Sequence, residues 1–138
     1  MQSHVNLPVM GEPTDVEVCD QWCATLRAVH VTSAALEHAL EAEHGLGLSE
    51  FQVLLVLAGV EPGRAKMRLK DLEAKMYLSQ SALSRTVARL HDAGLLTRAA
   101  CELDRRALFV ELSESGRKRY EDALPTHMRV LREQVAAV

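Results

Sequence analysis

The run Leu78–Gly94, L-S-Q-S-A-L-S-R-T-V-A-R-L-H-D-A-G, reads as one short helix with both ends marked. Ser79 is a good N-cap, because its hydroxyl can accept from a free backbone N–H of the first turn. Gly94 can adopt the left-handed conformation that closes a helix at its C-terminal end. Between them Leu83, Val87 and Leu90 recur at i, i+4, i+7 and define an inward face. The opposite side carries Gln80, Ser81, Ser84, Arg85 and Arg89, with Asp92 as its one acid in the last turn. A helix built only for solubility mixes Glu with Lys. This one gathers side chains that donate to base edges and phosphates.

Upstream, Leu69 to Met76 reads as a shorter helix with Leu72 and Met76 inward, and Tyr77-Leu78 makes a tight connection. Two short helices so joined, the second polar and basic outside, form a helix-turn-helix. Downstream, Leu95 to Ala99 and Ala107 to Leu112 read as strands around the polar tip C-E-L-D-R-R. A helix-turn-helix followed by a β-hairpin is a winged helix. Arg64 to Met67, after the turn Glu61-Pro62-Gly63, is a candidate short strand.

On the N-terminal side, residues 1–13 have no periodicity and form an arm. Thr14 opens a capping box, T-D-V-E, in which Glu17 reaches back to the Thr14 N–H. A long helix follows to about His44, with Val16, Cys19, Trp22, Cys23, Leu26, Val29, Leu36 and Leu40 on its apolar positions. Gly45 and Gly47 end it. Ser49 then caps a helix (S-E-F-Q) whose Phe51, Val53, Leu54, Leu55, Val56 and Leu57 make it apolar nearly all round, hence central in a core. On the C-terminal side Ser113 starts a last helix with Tyr120 and Leu124 inward. Pro125 should kink or interrupt it, and Met128, Leu131 and Val135 continue its apolar stripe.

The fold class is therefore mainly α with a small β-hairpin: a winged helix-turn-helix at 49–112, an N-terminal arm and dimerisation helix at 1–48, and a C-terminal dimerisation helix at 113–138, all one compact unit. The two amphipathic ends exceed what a small winged helix can bury, which points to a homodimer that interleaves them.

The chain has 138 residues and a net charge of −3. The charge is unevenly spread. Residues 1–63 carry one basic and 9 acidic side chains, a balance of −8, whereas residues 64–119 carry 13 basic and 7 acidic, a balance of +6. The remaining 19 residues add −1. The positive field is local to the helix quoted first, and local field steers binding to phosphate. A merely solvated mixed face is the competing explanation. No apolar run approaches the ~20 residues of a membrane span, and residues 1–10 lack the pattern of a secretory signal. Three cysteines in such a chain suggest a reducing, cytoplasmic setting.

L-S-Q-S-A-L-S-R-T-V-A-R-L, then A-G-L-L-T-R, then D-R-R-A with L-S-E-S-G after it, resemble the MarR family of winged-helix transcription regulators. The family's wing pattern, an Asp and an Arg two apart followed by a small residue, matches Asp104, Arg106 and Ala107. The tail is short for the family and carries Pro125. The resemblance implies a homodimeric, sequence-specific regulator, a repressor, on a pseudo-palindromic operator with half-sites about one helical turn (~34 Å) apart. It implies DNA contacts by Gln80, Ser81, Ser84 and Arg85, with Ser79 at the start of the same face. Arg89, Arg98 and Arg105 would meet phosphate. Arg106 would enter the minor groove, oriented by Asp104. Helix filler is the alternative for the serines, and an exposed cation of little consequence is the alternative for the arginines.

Control is less legible. Cys19 and Cys23 stand one turn apart beside Trp22, and packing is favoured over redox sensing there. Cys101 falls at the hairpin tip. The resemblance suggests a small aromatic or phenolic effector with Trp22 and Arg27 lining its pocket; the alternative is that Trp22 is simply core. The histidines have no metal-ligand spacing, so neither metal nor cofactor is expected. No G-x-S-x-G, phosphate-binding loop or dinucleotide fingerprint is present, which argues against an enzyme. The competing class is a winged helix that docks an acidic protein partner.

Overall fold

The computed structural model describes residues 11–60, 67–100 and 107–136. The elements in chain order are α1 (Asp15–His44), α2 (Leu48–Ala58), β1 (Met67–Arg68), α3 (Leu69–Lys75), α4 (Gln80–Asp92), β2 (Leu96–Ala100), β3 (Leu108–Leu112) and α5 (Glu114–Ala136). By backbone proximity the chain divides into residues 1–31 and 32–138.

In the larger unit the core is built on α2. Phe51, Val53, Leu54 and Leu57 are buried there against Leu36 and Leu40 of α1, Leu72 of α3, Leu83, Val87 and Leu90 of α4, and Ala123 and Val130 of α5. Leu55, expected inside, is 36% exposed, so α2 keeps one outward position. The N-cap of α2 is Gly47 rather than Ser49. Carboxylates take over the capping: Glu50 Oε1 accepts from Gly47 N at 3.2 Å and Glu37 Oε2 from Leu48 N at 2.7 Å. Ser49 lies inside the first turn.

The sheet has three antiparallel strands in the order β1-β3-β2, not the hairpin alone. Leu96 pairs with Leu112 and Ala100 with Leu108, while Met67 faces Val110 and Arg68 faces Phe109. The first strand thus sits at Met67–Arg68; the rest of the expected strand, 64–66, lies outside the described residues.

Helix α5 runs through Pro125, so of the expected kink or interruption the interruption does not occur. Pro125 and Glu121, four residues earlier, are not buried. The carbonyl that loses its helical partner therefore lies on the solvent side, where water can replace the missing bond. Val135 is also exposed, at 71%, so the apolar stripe stops being buried before the helix ends.

Helix α5 also fastens the last turn of α1. Arg119 Nη1 donates to the His44 carbonyl at 3.0 Å, His44 Nε2 lies 2.8 Å from Thr126 Oγ1, and Arg129 makes a forked pair with Glu43 at 3.3 and 2.6 Å. Gly45, at φ +64°, turns the chain out of α1. Beside this clamp His127 is buried, its ring 4.6 Å from that of Phe51, and its Nδ1 has no hydrogen-bond partner among the described residues. Burial holds its pKa below the ordinary histidine range. The folded chain therefore resists a proton that the unfolded chain accepts near pH 6.5. Stability from this residue is complete above that pH and declines as pH falls below it. Thermal midpoints measured between pH 7.5 and 5 should fall for the natural sequence and fall less for His127→Leu.

In the smaller unit, α1 as far as Val31 begins with the expected capping box. Thr14 N donates to Glu17 Oε2 at 2.9 Å and Glu17 N to Thr14 Oγ1 at 3.2 Å. Every residue from 11 to 31 is exposed. Val16, Trp22 and Val29 are 69%, 61% and 59% exposed. Cys19 and Cys23, expected to pack as small hydrophobes, are free and exposed in the single chain, and Trp22 is not part of its core. Periodicity marked the apolar face correctly, but among the described residues nothing within one chain covers it.

Candidate nucleic-acid interface

Helix α4 has the two faces its sequence encodes. Leu83, Thr86, Val87 and Leu90 are buried, while Gln80, Ser81, Ser84, Arg85 and Arg89 lie on the outward side. Ser79 is its N-cap, accepting from Ala82 N at 3.2 Å, with Ser81 Oγ 3.4 Å away. One lone pair of its oxygen is thus committed to the helix. Thr86, not singled out from sequence, donates back to the Ala82 carbonyl at 2.9 Å and receives Arg89 Nη2 at 3.4 Å. That contact draws the Arg89 side chain back along the helix, whereas Arg85 makes no side-chain hydrogen bond or ion pair among the described residues.

The end of α4 is closed by two bonds: Gly94 N to His91 O and Leu95 N to Leu90 O, both 2.9 Å, with Gly94 at φ +75°. This is the glycine-terminated closure expected from the sequence. The chain then enters β2, where Arg98 is exposed and its Nη2 lies 3.4 Å from His91 Nδ1. Asp104, Arg105, Arg106 and Cys101, the expected hairpin-tip residues, lie outside the described residues. The strands leading to them are in place and pair in register through Ala100 and Leu108.

The start of α5 is locked to the end of α4. Ser113 Oγ donates to the Gly94 carbonyl at 2.6 Å and accepts from Gly116 N at 3.0 Å, while Ser113 N donates to the Leu95 carbonyl at 3.1 Å. One hydroxyl caps α5 and ties it to the turn after α4. The outward helix, the sheet and α5 therefore share a single junction.

Trp22 and Arg27, expected beside an effector, stand with Cys19 and Cys23 on the exposed part of α1. Among the described residues no three His, Cys, Asp or Glu side chains form a cluster able to hold a metal, and no helix is long and apolar enough to cross a membrane. Two basic residues not singled out from sequence, Arg68 and Lys70, border the space between the start of α4 and the root of β3.

A helix-turn-helix of α3 and α4, followed by the β2–β3 hairpin against β1, defines a winged-helix protein. The model of the MarR family matches residues 44–107. The crystal structure of AbsC, a MarR family transcriptional regulator from Streptomyces coelicolor, superposes with a TM-score of 0.77 at 31% identity, over 91% of this chain and 83% of AbsC. That of Sco3205, a MarR family transcriptional regulator from the same organism in complex with DNA, gives a TM-score of 0.79 at 26% identity over 91% of this chain and 79% of Sco3205. The HTH-type transcriptional regulator MhqR of Bacillus subtilis (strain 168) is 30% identical over 98 residues, 70% of this chain. The match spans 63% of MhqR, less than two thirds of that relative. The chain belongs to the MarR family of transcriptional regulators, whose members are not enzymes.

Proposed function

We propose that this chain is a sequence-specific, DNA-binding transcription regulator, a homodimeric repressor that recognises a pseudo-palindromic operator and is released by a small-molecule signal. The observation that carries the reading is the outward face of α4. Gln80, Ser81, Ser84 and Arg85 are exposed while the opposite face is sunk in the core, so the helix presents donors rather than apolar surface. Bidentate or base-edge contacts from such side chains in a major groove are the ordinary means of sequence readout. Arg98 and Arg89 would neutralise phosphate. Arg105 and Arg106, with Asp104 orienting the latter, would extend the footprint into the minor groove. The complex of Sco3205 with DNA supports this use of the fold.

The homodimer is supported by the exposed stripe of Val16, Trp22, Leu26 and Val29, a surface that an isolated soluble chain has reason to cover. A small aromatic effector would sit near Trp22 and Arg27. Cys19 and Cys23, free in the single chain, give a second reading, in which the releasing signal is an oxidant that reaches these thiols in the assembled dimer. Alkylation of both in the assembled protein, monitored by mass, tests it; complete protection in the dimer would remove it.

The DNA reading is tested with duplexes selected by the protein from a random library. The affinity for the selected sequence should fall steeply with salt, with log K linear in log salt. Arg85→Ala should weaken binding by about 1–3 kcal/mol and relax the preference at the base it contacts. A flat salt response, or an Arg85→Ala variant with unchanged affinity and selectivity, would leave an acidic protein as the better candidate partner.

A further inference from the structure

Between the first residue of α4 and the root of β3 lies an open groove of about 430 Å³, lined by Arg68, Lys70, Glu73, Gln80, Ala107 and Leu108 among others. Its charged wall holds two cations and one carboxylate. Gln80 is the first residue of the outward helix, and Ala107 and Leu108 are where the chain enters β3. The groove therefore occupies the ground between the two parts of the molecule assigned to DNA.

B-form DNA requires something there. Its major and minor grooves are separated by one sugar–phosphate strand. A protein that places a helix in one groove and a hairpin tip in the next must pass that strand across the surface joining them, and phosphate contacts at such points set the register of docking. The ground here is prepared for it. Arg68 is exposed, and its backbone is fixed twice over, as the N-cap of α3 and by pairing with Phe109 across the sheet. Its guanidinium lies 5.7 Å from the centroid of the Phe109 ring. A cation–π contact at this distance draws the guanidinium toward the ring while leaving its N–H groups available to an oxyanion. Lys70, two residues on, adds a second, mobile positive charge to the same wall.

We infer that Arg68 and Lys70 form a clamp for a backbone phosphate of duplex DNA, at the strand that crosses between the α4 helix and the hairpin. This assignment rests on the DNA-binding reading above and adds a contact to it. The clamp reads no base. It fixes the height at which α4 enters the major groove, and its contribution is the same for every sequence.

The test uses the full chain and a duplex selected from a random library by the unaltered protein. Arg68→Gln and Lys70→Gln should each make the slope of log K against log salt shallower, and the double variant should lose about 0.9, the value for one phosphate left without a cation. The order of preference among sequences should stay unchanged. Arg132→Gln, an equal charge change at an exposed position in the last turns of α5, should leave the slope where it was. Replacing phosphates one at a time by neutral methylphosphonates should reveal a position whose neutralisation weakens the unaltered protein and has no further effect on the variant carrying both substitutions. Unchanged slopes in both variants, or slopes that change with no such phosphate, would overturn the clamp while the DNA reading stands. If the unaltered protein selects no duplex and binds none in a salt-dependent manner, both fall together. Thermal midpoints of the variants monitor folding, and both side chains are exposed, so these midpoints should hold near that of the unaltered chain.

Discussion

Gly116→Ala is expected to destabilise the protein by more than about 3 kcal/mol, at the upper end of what overpacking costs. A Cβ built on Gly116 would lie 1.8 Å from the Leu95 carbonyl oxygen and 2.8 Å from its carbon. Neither atom can yield cheaply. The same carbonyl accepts from Ser113 N at 3.1 Å, and Leu95 N is the last bond closing α4. Relief therefore means moving the first turn of α5 away from the turn after α4, breaking the Ser113 hydrogen bonds and opening the core beneath. Ser115→Ala, at the exposed neighbouring position, should change stability by no more than about 0.5 kcal/mol. Denaturant titration of the two variants checks this; equal midpoints would mean that α5 does not approach Leu95 as described.

Phe51→Ala is expected to cost about 3–5 kcal/mol, the range for truncating a fully buried aromatic. Phe51 is 0% exposed and stacks on two rings of α5, Tyr120 at 5.8 Å and His127 at 4.6 Å. Its truncation removes both ring contacts from α2 to α5 and leaves a void in the core. Leu55→Ala on the same helix, at a position 36% exposed, should cost well under half as much. Equilibrium unfolding above pH 7 makes the comparison without the histidine contribution. The void also lies against the His127 ring, whose Nδ1 has no hydrogen-bond partner among the described residues. Water admitted there would relieve the burial that depresses its pKa, so the variant should show a shallower decline of stability on acidification than the natural chain.

The elements with their own local signals could be read from sequence. Ser79, the Leu83–Val87–Leu90 spacing and Gly94 placed α4 and its outward face, and the T-D-V-E box placed the start of α1. What escaped depends on contacts between distant segments. The sequence points to Arg64–Met67 for strand β1, but its position at Met67–Arg68 is set by pairing with Val110 and Phe109 of β3, since two residues are too few for any periodicity. Gly116 looked like one letter of L-S-E-S-G, because the need for a missing Cβ arises from a carbonyl 21 positions earlier. Glu37 displaced Ser49 from the cap of α2 by reaching across from another helix. Arg68 and Lys70 resemble ordinary solvated charges until Gln80 and Leu108 are seen across the groove from them. For the first part of α1 the spacing marked the apolar side, which is exposed in one chain, since hydrophobic spacing says which side seeks cover and not which molecule supplies it.

Trp22 is the one tryptophan of the chain, and it stands on that uncovered side of α1. The intrinsic indole emission of the protein therefore originates wholly from a surface remote in sequence from α4 and the core around Phe51. A blue shift on concentrating the protein would register that surface losing its water. Mutations in the winged helix that preserve the fold should leave the emission maximum untouched.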